Sequence, residues 1–180
     1  MSSRSALLII DVQTGLVAGA APVHDLEPLL ANIGSLLSRA RARGVPVVYV
    51  QDDDVAEVGS PAWEVHPAVR PGPGDVRVRK AACDAFHETD LDERLRERGV
   101  EHLVVVGCRT EFCIDTTCRR AVTLGYGITL AGDAHATTHD PSLAAPAIIA
   151  HHNRVLAGFG ALVAGRPCEI VVRPAAEIEL

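Results

Sequence analysis

The sequence predicts an α/β protein, a three-layer αβα sandwich with a mostly parallel central sheet of Rossmann-like topology. Apolar runs without polar alternation recur along the chain, and segments with helical periodicity separate them. Continuous apolar runs are typical of strands buried on both faces, and strands that alternate with helices are joined by right-handed crossovers. Because the sequence has no repeat, low-complexity tract or interdomain linker, we expect residues 1–180 to form a single domain.

The predicted elements follow one another in regular order. Apolar runs predict strands at residues 6–11, 45–50, 75–79, 102–107, 128–131 and 169–172. Apolar residues at helical spacing predict helices at residues 25–43, 91–98, 110–124 and 142–163. A glycine follows each of the first three helices, as expected at a helix C-terminus. The long connection at residues 51–74 is rich in Asp, Pro and Gly, and long ordered loops are usually functional.

Composition and charge argue against several classes of function. The chain has a formal net charge of −6, whereas nucleic acids and anionic membranes attract basic surfaces. No stretch approaches the ~18 apolar residues of a membrane span, and Asp11 ends the first apolar run too early for a signal peptide. We therefore expect a cytoplasmic protein without nucleic-acid or membrane partners. Its five cysteines are an odd number, which favours free thiols over a disulfide framework.

Three side chains suited to covalent catalysis fall at predicted strand ends. Asp11 ends the first strand, Lys80 follows the third, and Cys113 lies in the first turn of the helix after the fourth. Ligands of open α/β sheets bind at the carboxyl ends of strands, where a cysteine beside a base and a cation forms an activated nucleophile. The helix N-terminus and the lysine are expected to lower the thiol pKa.

Each of these residues also has a simpler interpretation. Cys113 could be a small buried hydrophobe, Asp11 could cap a turn or bind Mg²⁺, and Lys80 could be a solvated surface charge. Lys80 is, however, the only lysine among 17 basic residues. In a chain that uses arginine for almost every basic residue, a lysine favours a site that needs a compact ammonium group with an adjustable pKa.

The chain resembles the isochorismatase-like cysteine hydrolases, a family that includes nicotinamidases, N-carbamoylsarcosine amidohydrolase and streptothricin hydrolase. The resemblance spans roughly residues 5–165. The matching segments, in order, are LLIIDVQ at 7–13, Lys80 with DAF at 84–86 and TDL at 89–91, VGCRTEFCI at 106–114, RA at 120–121, LGY at 124–126 and GDA at 132–134.

The resemblance implies a catalytic triad of Asp11, Lys80 and Cys113. In such enzymes the thiolate attacks an amide or ureide carbonyl and a thioester forms. The oxyanion hole of the family falls on the backbone amides of Arg109 and Cys113, beside a cis peptide bond between Cys108 and Arg109. The resemblance also implies a homodimer or homotetramer and no cofactor.

The sequence departs from the nicotinamidase pattern after the second strand. There Gln51 is followed by three aspartates, and the nearest histidine is His66. Because a metal needs several converging ligands, we expect no catalytic metal. We predict that Gln51, Trp63, His66 and Phe86 line the substrate pocket, although core packing explains Phe86 nearly as well. His151 and His152 are expected either at the surface or in a pocket completed across a dimer.

The expected function is hydrolysis of a C–N bond in a small amide, lactam or ureide. Residues 63–67, 133–135 and 150–153 resemble streptothricin hydrolase, which opens a lactam in an antibiotic, and the choice among amide, lactam and ureide stays open. One alternative is a hydrolase of vinyl ethers or esters. The other is a non-catalytic thiol or binding protein, in which Cys108 would resolve an oxidised Cys113.

Overall fold

The computed structural model describes residues 4–180 and contains one seven-stranded sheet. The strands lie in the order β3-β2-β1-β4-β5-β7-β6, and every neighbouring pair is parallel except β6 and β7. The predicted α/β class with a mostly parallel sheet is therefore confirmed. The strands are β1 (Ser5–Ile10), β2 (Val47–Asp52), β3 (Val76–Lys80), β4 (His102–Cys108), β5 (Gly127–Ala136), β6 (Gly160–Val163) and β7 (Arg166–Arg173).

The helices cover both faces of the sheet. Side chains alternate between the faces, so that Leu7 and Ile9 of β1 pack in one apolar cluster and Leu8 and Ile10 in the other. This double burial explains the unbroken apolar sequence of the strand. The helices are α1 (Thr14–Val17), α2 (Leu26–Ala42), α3 (Leu91–Glu97), α4 (Asp115–Leu124) and α5 (Ala145–Leu156), with a π-helical turn at Thr110–Ile114 and 3₁₀ turns at Pro67–Val69 and Ala175–Glu177.

The predicted helix at residues 142–163 is wrong in its second half. Helix α5 ends at Leu156, and Gly158 adopts a φ of 78° while its amide donates to the Ile170 carbonyl. The chain then forms β6, which pairs with β7 as an antiparallel hairpin at the sheet edge. Leu162 is 75% exposed on this edge strand. The apolar residues of the short edge strand β6 continue the apolar spacing of helix α5. The sequence therefore predicts a helix that is longer than the one observed.

The sheet order brings four predicted strand ends together. Strands β3, β2, β1 and β4 are consecutive neighbours, so the residues that end them share one edge of the sheet. Asp52 is the register partner of Lys80, and Ile10 is the partner of Gly107. Asp11 and the segment after Cys108 continue from those positions. Among the described residues, no helix combines the length and the apolar character needed to cross a membrane.

Gly107 allows β4 to approach β1 at this edge. Its φ is 124°, and a Cβ atom built on it would lie 2.0 Å from the carbonyl oxygen of Ile10. Any side chain at this position must therefore displace the backbone of β1. The residue immediately after Ile10 is Asp11, so the close approach also determines the spacing of the predicted site.

Gly107→Ala is expected to destabilise the protein by about 3 kcal/mol or more, because overpacking and an unfavourable φ act together. Urea unfolding followed by circular dichroism measures the effect. Gly34→Ala is the control, since Gly34 lies within α2 with nothing within 4 Å of a built Cβ. That change should add roughly 0.5–1 kcal/mol of stability. Equal unfolding free energies for the two variants would show that the close approach of β4 to β1 does not require a glycine at position 107.

Candidate active site

Lys80, at the end of β3, is the centre of the site. Its side chain is fully buried, and its Nζ lies 2.8 Å from Asp11 Oδ2 and 2.5 Å from Asp52 Oδ2. The same ammonium group donates to Cys113 Sγ at 3.3 Å. Burial acts to lower the pKa of Lys80, but the charges on Asp11 and Cys113 and the hydrogen bonds to both carboxylates outweigh it and raise that pKa. Lys80 is therefore a permanent cation at physiological pH.

Asp11 follows β1 in the left-handed conformation, with a φ of 51°, and its amide donates to the Val50 carbonyl. The residue is wholly buried, and Oδ1 has no hydrogen-bond partner among residues 4–180. Burial raises the pKa of Asp11 to about 6, against the opposing charge of Lys80. A buried carboxylate with a free oxygen and a raised pKa is suited to accept and return a proton.

Cys113 lies within the π-helical turn that follows β4. The peptide bond between Cys108 and Arg109 is cis, as predicted. The Arg109 carbonyl accepts hydrogen bonds from the amides of Phe112 and Ile114, the two residues that flank Cys113. Cys113 therefore lies in the first helical turn after β4, between the two amides that bond to the Arg109 carbonyl.

The expectation of a lowered thiol pKa is wrong. Burial and the negative charge of Asp11 raise the pKa of Cys113, and the opposing effect of Lys80 is smaller. The sequence shows one cation and one helix terminus near the thiol. The structure adds burial and the Asp11 carboxylate, which outweigh the effect of Lys80 on the thiol pKa. Cys113 is therefore a protonated thiol, and a nucleophilic role for it requires a base.

Asp52 is a component of the site that the set of predicted residues did not include. Its backbone exchanges two hydrogen bonds with the buried side chain of Gln13. Gln13 Nε2 donates to the Asp52 carbonyl at 2.9 Å, and the Asp52 amide donates to Gln13 Oε1 at 2.8 Å. This clamp ties the end of β2 to the chain just after Asp11. A hydrogen bond between a side chain after β1 and the backbone at the end of β2 gives no signal in a single sequence.

The cluster opens into a cavity of about 410 Å³. Its floor contains Asp11, Asp52 and Cys113, and Cys83 lies at the surface beside them. Cys83 is therefore an exposed thiol in the cavity wall. The remaining lining residues are Gly15, Leu16, Asp54, Val55, Arg109 and Phe112.

The structure does not bring the four predicted substrate-binding residues to this cavity. Gln51 is buried and donates to the Trp63 carbonyl at 3.2 Å. Trp63 is also buried, with the Arg79 guanidinium 5.8 Å from its ring centroid. His66 accepts a hydrogen bond from the Ala68 amide and caps a 3₁₀ turn.

Phe86 stacks on Tyr126 in the core, with ring centroids 5.9 Å apart. Phe86 therefore has the core-packing role that is the alternative to lining the substrate pocket. His151 is exposed, and His152 bonds back to the Ile148 carbonyl within α5. In the described chain neither histidine lines the cavity.

A buried polar network supports the turn that carries Cys113. His135 is 3% exposed and bonds through Nδ1 to Thr110 Oγ1 and through Nε2 to Asn153 Oδ1, at 2.9 Å each. Burial lowers the pKa of His135 to about 4. His135 is therefore neutral, and it links β5 and α5 to the residue that follows Arg109.

The ligand atoms of Asp11, Asp52 and Cys113 lie within 4.8 Å of one another, a set that could hold a metal ion. The Lys80 ammonium contacts all three groups. The position that a cation would take among these ligands is thus occupied by a side chain of the protein.

A model of the isochorismatase domain matches residues 5–152. The chain belongs to the isochorismatase family. It is 42% identical over 147 residues to a streptothricin hydrolase of Streptomyces noursei, an alignment that covers 79% of this chain and 58% of the relative. It is 30% identical over 179 residues to the ureidoacrylate amidohydrolase RutB of Variovorax paradoxus, covering 77% of this chain and 70% of that protein.

The match to streptothricin hydrolases is partial in length. The chain spans 58% and 51% of the two Streptomyces noursei proteins of that name. Among solved structures, an isochorismatase family protein superposes with a TM-score of 0.87 at 29% identity, covering 96% of this chain and 99% of that one. The N-carbamoylsarcosine amidase of Thermoplasma acidophilum superposes with a TM-score of 0.76 at 25% identity, covering 97% and 98%. These relatives confirm the isochorismatase-like fold.

Lys80→Met is expected to destabilise this isochorismatase-family protein by about 3–5 kcal/mol at pH 7, because it leaves the buried Asp11 carboxylate without its cation. Without the ammonium group, the pKa of Asp11 rises further, so the folded variant binds more protons than the unfolded chain. Its stability should therefore fall as the pH rises and recover towards pH 5. Wild-type Lys80, whose folded pKa is raised, stays charged throughout this range.

Urea unfolding at pH 5 and pH 7 measures this difference. Arg79→Met is the matched control, because Arg79 precedes Lys80 but forms an exposed pair with Asp53 at 2.7 Å. That variant should lose little stability at either pH. If the Lys80→Met variant loses the same unfolding free energy at both pH values, the protonation of the carboxylates does not depend on the lysine.

Proposed function

We propose that this chain is a cysteine-dependent amidohydrolase that cleaves a C–N bond in a small amide, lactam or ureide. The observation that supports this most directly is the contact of one buried ammonium group, Lys80 Nζ, with both Asp11 Oδ2 and Cys113 Sγ on a cavity floor. A nucleophile, a base and a cation are thereby held together. The relatives named as streptothricin hydrolase, ureidoacrylate amidohydrolase and N-carbamoylsarcosine amidase support the same bond type.

The first half of the reaction forms a thioester. The Cys113 thiol attacks the substrate carbonyl carbon while Asp11 takes the S–H proton, so that an S–C bond forms and the carbonyl electrons move to oxygen. Asp11 then gives this proton to the amide nitrogen, and the C–N bond breaks to release a neutral amine. Lys80 remains protonated and stabilises the negative charge that Asp11 loses and regains.

The second half of the reaction hydrolyses the thioester. Asp11 accepts a proton from water as the water oxygen attacks the acyl carbon, and the C–S bond then breaks. The proton on Asp11 returns to the Cys113 sulfur. The net change is amide plus water to carboxylic acid plus amine, and the enzyme ends as it began.

The backbone amides of Arg109 and Cys113 are proposed to stabilise the oxyanion in both halves. Both residues belong to the segment that follows the cis peptide bond and contains the π-helical turn Thr110–Ile114, and the first N–H groups of a helix lack intrahelical partners. Groups fixed in a buried site stabilise developing charge more than solvent does. His135, through Thr110, holds the start of this turn.

The cavity favours a compact substrate with an apolar portion. A volume of about 410 Å³ suits a small molecule, and Leu16, Val55 and Phe112 supply apolar wall. A lactam, as in the streptothricin hydrolase relatives, is the finer proposal for the substrate. Hydrolysis of a vinyl ether or ester on the same scaffold is the enzymatic alternative.

The non-catalytic redox alternative receives less support. Cys108, its suggested resolving partner, is fully buried in the apolar cluster on the α2 side of the sheet, whereas Cys113 packs in the other cluster. Burial also raises the pKa of Cys108 to about 12. A buried, protonated thiol in the opposite layer is a poor resolving partner.

Cys113→Ala, Asp11→Asn and Lys80→Ala should each lower kcat/KM by at least about 10³-fold, because the three groups act as a unit. The double variants should lose little more than the single ones. Release of amine or ammonia from streptothricin, ureidoacrylate and N-carbamoylsarcosine provides the assay. Trp63→Phe is the control outside the cavity and should stay active. Near-wild-type turnover in any of the three variants would refute the mechanism.

The pH dependence of kcat/KM should have an acidic limb near pH 6. Asp11 must be ionised to accept the thiol proton, and its pKa is raised to about 6. Activity should therefore fall about tenfold per pH unit below that value. Initial rates between pH 4.5 and 8 test this. A limb near pH 4, where an ordinary aspartate titrates, would exclude Asp11 as a buried base.

A further inference from the structure

We propose that Asp52 is a positioning residue that holds Lys80 and keeps the resting Cys113 as a thiol, so that the proton needed by the leaving nitrogen is already in the site. The inference rests on the proposed amidohydrolase function. It assigns a role to a residue outside the predicted triad.

The single positive charge of Lys80 faces two carboxylates. Its Nζ lies 2.5 Å from Asp52 Oδ2 and 2.8 Å from Asp11 Oδ2, and the sulfur of Cys113 is 3.3 Å away. The carboxylate oxygens and the sulfur all lie within 4.8 Å of one another. With both carboxylates ionised, the cluster has a formal charge of −1. A thiolate would make it −2 in a buried site, where like charges repel strongly.

Asp52 is held so that one oxygen faces Lys80. Its backbone is clamped on both sides by Gln13. Its Oδ1 accepts a hydrogen bond from the Asp54 amide at 3.0 Å, which leaves Oδ2 for the ammonium group. The parallel register of β2 and β3 places Asp52 directly beside Lys80. The side chain is 17% exposed, so it borders the cavity rather than open solvent.

Other charged or titratable groups near the cluster do not replace this carboxylate. Arg109 and Asp54 line the cavity with opposite charges, and Cys83 is an exposed thiol. Asp53, next to Asp52, pairs with Arg79 on the outside of the sheet. Asp52 is thus the second anion in contact with Lys80.

The chemical consequence concerns the leaving group. Without the Asp52 charge, Lys80 would stabilise a thiolate, and the S–H proton would be lost to solvent before substrate binds. Asp11 would then have no proton to give to the amide nitrogen, which leaves poorly as an anion. An ester with a phenolate leaving group does not need that proton. Removal of the Asp52 charge should therefore affect amides and activated esters in opposite directions.

The test uses Asp52→Asn in the full chain. Iodoacetamide labelling of the Cys113 peptide, quantified by mass spectrometry across pH, should show a titration midpoint lower by at least one pH unit, which is about tenfold more thiolate at neutral pH. The burst of 4-nitrophenol from 4-nitrophenyl acetate at pH 7 should become several-fold faster. Turnover of whichever amide the wild-type protein hydrolyses should fall at least about tenfold. A purely structural role would lower both rates together.

Two variants serve as controls. Asp53→Asn makes the same substitution one residue further on, where the carboxylate faces Arg79, and should leave the thiol midpoint unchanged. Asp52→Glu restores the negative charge and should return the midpoint towards the wild-type value. Circular dichroism verifies the fold of each variant, and Asp52→Ser supplies the same loss of charge if the asparagine variant does not fold.

The proposal would be overturned if the pH midpoint of Cys113 alkylation were unchanged or higher in the folded Asp52→Asn or Asp52→Ser variant. Faster amide turnover in that variant would overturn it as well. The labelling and ester experiments do not require amide hydrolysis. If no amide is hydrolysed by the wild-type protein, the proposed function fails while the role of Asp52 in controlling the thiol is still decided. If amides are hydrolysed but the midpoint does not move, only the role of Asp52 fails.

Discussion

One buried ammonium group connects the structural elements that form the site. Lys80 ends β3, and its Nζ contacts the residue after β1, the last residue of β2 and the cysteine after β4. A buried lysine is costly unless anionic partners surround it, and here two carboxylates do so. The same contacts that make the burial of Lys80 tolerable also bring Asp11 and Cys113 within reach of each other. Stability and chemistry therefore depend on the same few atoms.

Much of the architecture could be predicted because it has local causes. Strands buried on both faces leave unbroken apolar runs, as in β1 and β4, and the parallel arrangement then places Asp11, Lys80 and Cys113 at one edge. The C-terminal end of α5 was harder to predict from the sequence, since the apolar residues of edge strand β6 continue the apolar spacing of the helix. A single sequence does not show which apolar residues face a sheet edge rather than the core.

The walls of the cavity could not be predicted from the sequence. They depend on which side of the sheet each side chain of β2 faces, and on contacts between residues far apart in the chain. Successive residues of a strand face opposite sides, so Gln51 points to the Trp63 carbonyl while Asp52 points to Lys80. Three adjacent aspartates look equivalent in the sequence, but in the fold Asp52 contacts Lys80 and Asp53 contacts Arg79. The number of charges around Lys80 depends on which aspartate faces it, and for this reason the charge balance of the site required the structure.

The division between strand ends and connections has a consequence for how this scaffold diverges. Asp11 and Lys80 stand at strand ends, whereas Val55 and Cys83 of the cavity wall lie in loops between strands and helices. Insertions and substitutions in such segments are tolerated better than changes within strands. The shape of the cavity can therefore change with its loops while the contacts of Lys80 stay the same.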